Sequence, residues 1–228
     1  MHISGIQKLT LLDYPGHVAA TVFTEGCNFR CPFCHNALLI EGNKIPSLST
    51  NEVINFLLKR QGLLDGVCIT GGEPLLHEDL AAFLRQIKDL GFLLKLDTNG
   101  SFPDRLQALL DEGLLDYVAM DIKSSPAKYE QACGLPVNFA NIQKSAKILM
   151  AGQTDYEFRT TMVREFHKLE DFLEIAQWLH GAKKYYLQAF HDTGNLLQNG
   201  LHGFTKDQAE QIKEQLSDHF GLVELRGY

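Results

Sequence analysis

Residues 66–100 read GVCITGGEPLLHEDLAAFLRQIKDLGFLLKLDTNG. An apolar, β-branched run over 66–70 stops at two glycines. Apolar residues at helical spacing follow over 78–90, and a second apolar run over 92–97 ends at Asp97-Thr98-Asn99-Gly100. The pattern is strand, helix, strand, and a helix of that length returns the chain so that the two strands run parallel. The same alternation extends both ways. Further strands are predicted over 18–24, 117–121, 156–162 and 184–190, and helices over 50–60, 103–112, 138–151, 169–180 and 205–219. Right-handed crossovers curl such a run, so the predicted class is α/β: a partial (βα)6 TIM-like barrel with a mostly parallel sheet in a single domain. Residues 1–16 read as an N-terminal extension ending in a turn. The barrel core is placed at 17–191, and a C-terminal helix with a closing extended segment at 192–228.

The chain has 228 residues, 45% hydrophobic and 21% charged, which suffices for a core without disulfide staples. Lys plus Arg number 21 against 28 Asp plus Glu, a formal charge of −7, and this acidic balance disfavours a nucleic-acid backbone as partner. No run approaches the ~18 consecutive apolar residues of a membrane-spanning helix, and the apolar run at 18–23 is too short for a secretory signal. The expectation is a cytoplasmic protein with neither nucleic acid nor membrane as partner.

Five cysteines are present, three of them inside eight residues: Cys27-Asn28-Phe29-Arg30-Cys31-Pro32-Phe33-Cys34. Odd number and clustering point to metal binding in a reducing compartment. The C-x3-C-x2-C spacing lets three thiolates close around one inorganic centre, and soft sulfur selects zinc or iron–sulfur. An iron–sulfur cube normally takes four thiolates, so a loop supplying three leaves one iron open to another ligand. The alternative is a closed Cys3His zinc site, for which Cys34 and the adjacent His35 would both have to face one ion. Cys68 and Cys133 read as small buried hydrophobes.

Polar residues collect where the predicted strands end, which is where parallel barrels place their chemistry. Gly71 and Gly72 permit close approach of a ligand, and Glu73-Pro74 leads toward the next helix. Asp121 and Lys123, two apart, project to one face; a structural salt bridge is the alternative. Arg159 alternates with Glu157 and Thr161 and either faces the barrel interior or pairs structurally with Glu157. His191 follows the sixth strand, as a loop histidine or a ligand contact.

The cysteine loop, followed by Gly71-Gly72-Glu73-Pro74, resembles the radical S-adenosylmethionine (SAM) enzymes. The resemblance implies that Cys27, Cys31 and Cys34 hold a 4Fe-4S cluster whose open iron chelates the methionine part of SAM. An electron from the cluster then splits the sulfonium and yields a 5′-deoxyadenosyl radical. It also implies Phe33 against adenine, and Gly71, Gly72, Glu73 and Pro74 as the element receiving the methionine ammonium. Lys123 meets the methionine carboxylate, and His191 the ribose. Asp97 and Asp121 flank a monovalent cation beside SAM, with backbone oxygens near Thr98 and Ala119. Asn99 and Arg159 complete the candidate SAM contacts.

Over 5–8, 12–16, 22–36, 97–100, 121–123, 158–161 and Arg226-Gly227 the chain is similar to the activating proteins of anaerobic ribonucleoside-triphosphate reductases, in their larger form. That similarity implies removal of a hydrogen atom from a glycine Cα of the partner reductase to leave a glycyl radical, with flavodoxin as a plausible electron donor. Cys34-His35-Asn36 is typical of such activases. The same motifs serve activases of pyruvate formate-lyase. Small-molecule enzymes such as 7-carboxy-7-deazaguanine synthase share the cluster and the glycine element, although those usually carry Asp rather than His after the third cysteine. A zinc-binding interaction module is the remaining alternative.

Overall fold

The apolar runs become the central strands of one sheet. In the computed structural model, which describes residues 1–40, 47–192 and 194–228, the strands are β1 (Ile3–Thr10), β2 (Ala19–Thr24), β3 (Gly66–Gly71), β4 (Leu93–Thr98), β5 (Tyr117–Asp121), β6 (Asp155–Met162), β7 (Tyr185–Ala189) and β8 (Val223–Arg226). The helices are α1 (Ala37–Ile40), α2 (Thr50–Leu58), α3 (Leu80–Asp89), α4 (Pro103–Asp111), α5 (Tyr129–Cys133), α6 (Phe139–Met150), α7 (Leu169–Trp178) and α8 (Lys206–Leu216). The sheet order is β1 to β8 in sequence; β1 is antiparallel to β2 and every later pair is parallel.

The six predicted strands are β2 to β7. The sheet adds one strand at each edge. β8 falls within the predicted closing segment, but residues 1–16 are more than an extension, because Ile3–Thr10 pairs along β2. Its alternation is faint: Ile3 and Thr10 are buried while Gln7, Lys8 and Leu9 are exposed, as befits an edge strand. The short helices α1 and α5 carry too few turns for a periodic signal.

Local chemistry sets the helix starts. Ser49 Oγ accepts the backbone N–H of Glu52 at 3.2 Å while a Glu52 carboxylate oxygen accepts that of Ser49 at 2.8 Å, a reciprocal cap opening α2. Thr205 and Gln208 do the same for α8. Within the sheet, period two separates the faces: on β4, Leu94 and Leu96 join the hydrophobic core, while Lys95 and Asp97 project to the other side.

That other side is concave. One cavity of about 390 Å³ is lined by Gln7 of β1, Thr21 of β2, Thr70 of β3, Asp97 of β4, Asp121 of β5, Arg159 of β6 and Gln188 of β7. Seven strands laid flat would span roughly 29 Å, six gaps of about 4.8 Å. Only a sheet curved around the cavity lets all seven reach it, which is the partial barrel. Among the described residues no helix is long and apolar enough to cross a membrane.

Candidate active site

The cavity sits at the C-terminal ends of the parallel strands, and the loop between β2 and α1 closes one side of it. Cys27, Cys31 and Cys34 all line it, with Phe29, Phe33, His35 and Asn36. All three thiols are free. Burial pushes Cys27 up to about 12 and also raises Cys34, whereas the neighbouring Cys133 thiol holds Cys31 down at about 7. Cys133 is itself fully buried, and its carbonyl accepts the Arg30 N–H at 2.8 Å, so α5 backs the cysteine loop. Phe33 packs on Phe166, ring centroids 5.3 Å apart, and His35 stacks on Phe190 at 5.6 Å.

The glycine pair has a tighter job than the sequence suggests. A Cβ on Gly72 would lie 1.9 Å from the Gly26 carbonyl oxygen, and one on Gly71, where φ is +113°, would lie 2.4 Å from Thr24 backbone atoms. Thr24 O accepts Gly72 N–H and Gly26 O accepts Glu73 N–H, both at 2.9 Å. Asn36 Nδ2 donates to Gly71 O at 3.2 Å. The two glycines therefore seat the β3 turn against the backbone just before Cys27, as well as reaching the cavity themselves.

Glu73 lies behind that wall, fully buried. Its Oε1 accepts from Thr98 Oγ1 at 2.7 Å and Leu75 N at 3.1 Å, and its Oε2 from Asn99 N at 2.7 Å. Burial pushes its carboxyl up to about 7 even though these three donors favour the charged form. The carboxylate thus ties the end of β3 to the end of β4. Asn99 carries the tie onward, since its Nδ2 donates to Asn28 Oδ1 at 2.9 Å beside Cys27.

Opposite the thiols runs a line of alternating charge. The buried Lys95 ammonium meets Asp97 Oδ1. Arg159 Nη1 donates to Asp97 Oδ2 at 3.2 Å and its Nε to Asp121 Oδ1 at 2.8 Å. Lys123 Nζ then donates to Asp121 Oδ2 at 3.1 Å. Burial alone would raise both carboxyls, but Arg159, with Lys95 on one and Lys123 on the other, outweighs it and holds them below their ordinary values. Three cations against two anions leave the line one positive charge in excess.

Residues 21–179 match the radical SAM superfamily. The chain belongs to that superfamily. MJ1227 of Methanocaldococcus jannaschii, provisionally named a glycyl-radical enzyme activating enzyme, is 34% identical over 82% of this chain and 79% of its own. The 7-carboxy-7-deazaguanine synthase of Thermoplasma acidophilum is 28% identical over 72% of this chain and 76% of its own. Among solved structures, Streptococcus suis SuiB bound to S-adenosylmethionine superimposes with a TM-score of 0.71 at 14% identity, over 90% of this chain and 49% of SuiB.

As a radical SAM enzyme the protein uses a 4Fe-4S cluster and SAM, and its donor set fits them. Three thiols from one loop share the cavity. Among the described residues, however, no three His, Cys, Asp or Glu side chains converge as a lone metal ion requires. Three thiolates from one loop match a cluster that keeps one iron open for SAM.

The radical SAM cavity gathers Phe33, Gly71, Gly72, Asp97, Asn99, Asp121, Lys123 and Arg159 with the three cysteines. It does not gather Glu73 or Pro74, which are buried behind it, nor His191, whose exposed ring donates from Nε2 to Gly227 O at 3.0 Å. Gln7, Asp13 and Thr21 line it without having been singled out from the sequence. The faint alternation of β1 hid Gln7. The bond from Thr21 Oγ1 to Asp13 Oδ2, 2.5 Å, is a tertiary contact with no local signature.

Proposed function

We propose that this radical SAM enzyme is a cytoplasmic activase that removes a hydrogen atom from a glycine of anaerobic ribonucleoside-triphosphate reductase, leaving a glycyl radical on that partner. The observation that carries the reading is the joint opening of the Cys27–Cys31–Cys34 loop and the positively charged strand ends into one cavity. The similarity to an activating enzyme over 82% of the chain supports a protein substrate, as does the Cys34-His35-Asn36 sequence.

Cys27, Cys31 and Cys34 would hold the cluster, and Phe33 would offer a flat apolar face to adenine. When bound, the cluster and SAM supply one-electron reduction of a sulfonium and the hydrogen-atom abstraction that follows. The chain's own groups bind and orient. Lys123, held by Asp121 yet one-fifth exposed at its side chain, and Arg159 present positive charge to the methionine carboxylate. Gly71 and Gly72 bring backbone to the cavity edge for the ammonium. Glu73 acts one step back, by fixing Thr98 and Asn99. The curved sheet and the cysteine loop line the cavity together, from Gln7 on β1 to Gln188 on β7.

Mixing the reconstituted, reduced enzyme with SAM and the anaerobic reductase, with flavodoxin or dithionite as electron source, is expected to give a glycyl doublet by electron spin resonance. SAM cleavage without a radical on the reductase would remove this target. A pyruvate formate-lyase in the same assay tests the other activase reading. The 28% identity to a deazaguanine synthase supports a second, small-molecule reading, which predicts turnover of a free heterocycle and no protein radical.

A further inference from the structure

The resemblance to activases implies a monovalent cation held between Asp97 and Asp121. We infer that this chain binds no cation there and that the Arg159 guanidinium occupies its place. All four carboxylate oxygens already face a cationic nitrogen. Lys95 meets Asp97 Oδ1, Arg159 meets Asp97 Oδ2 at 3.2 Å and Asp121 Oδ1 at 2.8 Å, and Lys123 meets Asp121 Oδ2 at 3.1 Å. An added ion would displace charge-assisted bonds and raise the excess charge of the group from one to two beside a guanidinium that is only 11% exposed.

Arg159 has nowhere else to go. It is the direct register partner of Asp121 across β5 and β6, so backbone pairing, rather than one side-chain rotamer, sets its place. Its guanidinium keeps its proton at any physiological pH. The nearby carboxylate on its own strand, Glu157, is already held by both terminal nitrogens of Arg226, at 2.8 and 3.1 Å, and by the Tyr117 hydroxyl at 2.9 Å. Lys95 is equally fixed, being 1% exposed, with Cys68 Sγ at 3.7 Å as its other neighbour. The inference holds whichever substrate the enzyme takes.

The test is SAM binding to the reconstituted enzyme, measured by equilibrium titration in sodium, potassium or choline chloride at one ionic strength. The wild type is expected to bind SAM with affinities that agree within a factor of about two. Arg159→Gln opens the gap and leaves the group without excess positive charge. It is expected to bind SAM about fivefold or more tightly in sodium or potassium than in choline. Its melting temperature is expected to rise in the same order. A several-fold weakening of wild-type binding in choline would overturn the inference. So would a folded Arg159→Gln enzyme that stays insensitive to the cation. If that variant does not fold, the wild-type comparison decides alone.

Discussion

Glu157 and Arg159 stand two residues apart on β6 and project to the same side, yet they belong to different networks. Glu157 is fully buried and closed off, its oxygens shared between Arg226 from β8 and Tyr117 from β5. Arg159 lines the cavity and bridges Asp97 and Asp121. The first network sums to zero charge and ends in the protein. The second keeps one surplus positive charge and ends at Lys123 on the cavity wall. Adjacent buried ion pairs can therefore differ in charge balance, and the surplus charge marks the one that opens on the cavity.

The sharpest way to break this contrast is Arg159→Met. It removes two charge-assisted hydrogen bonds from carboxylates that keep Lys95 and Lys123 and is expected to cost about 3–5 kcal/mol of stability, read by anaerobic urea unfolding, and to weaken SAM binding as well. Arg226→Met tests the closed network. It leaves Glu157 with the Tyr117 hydroxyl and is expected to cost about 3 kcal/mol, while SAM affinity stays within about twofold of wild type. A large loss of SAM binding in that variant would erase the distinction between the networks.

Lys123→Met sharpens the contrast from the ligand's side. Losing one hydrogen bond to a charged group is expected to weaken SAM binding by about tenfold to a hundredfold, or 1.5–3 kcal/mol, with a smaller effect on unfolding. The smallest effect concerns Glu73. Glu73→Gln leaves one of three donors without an acceptor and is expected to cost about 1 kcal/mol at neutral pH.

Glu73 also gives a pH signature. Its carboxyl is raised from 4.5 to about 7 in the folded protein, so between those values the folded state holds a proton that the unfolded chain has released. Its contribution to stability is then present at pH 4.5 and lost as pH rises toward 7. Stability profiles of the wild type and Glu73→Gln should diverge across that window. Parallel profiles would mean that the three donors keep Glu73 charged throughout.

Much of this was legible in the sequence. The six central strands fall within one residue of the positions read from apolar runs, because strands at the centre of a covered parallel sheet write those runs directly into the chain. The thiol spacing was equally plain, since three ligands within eight residues need no help from distant chain. β1 was not legible, because an edge strand with three exposed residues in a row lacks the period that betrays it. Nor was the reason for Gly71 and Gly72, which read as room for a ligand and prove also to be room for the Thr24–Gly26 backbone.

The sequence by itself determined the order of strands and helices, the three-thiol loop and the gathering of polar residues at strand ends. These are properties of short stretches, in which each residue's neighbours are its neighbours along the chain. Only the tertiary structure decided that Arg159 faces Asp97 and Asp121, that Glu157 takes Arg226 instead, that Glu73 anchors the site from behind, and that His191 turns to Gly227. Those pairings join positions 25 to 69 residues apart, and sheet register and curvature select among partners whose charges alone would allow several matches.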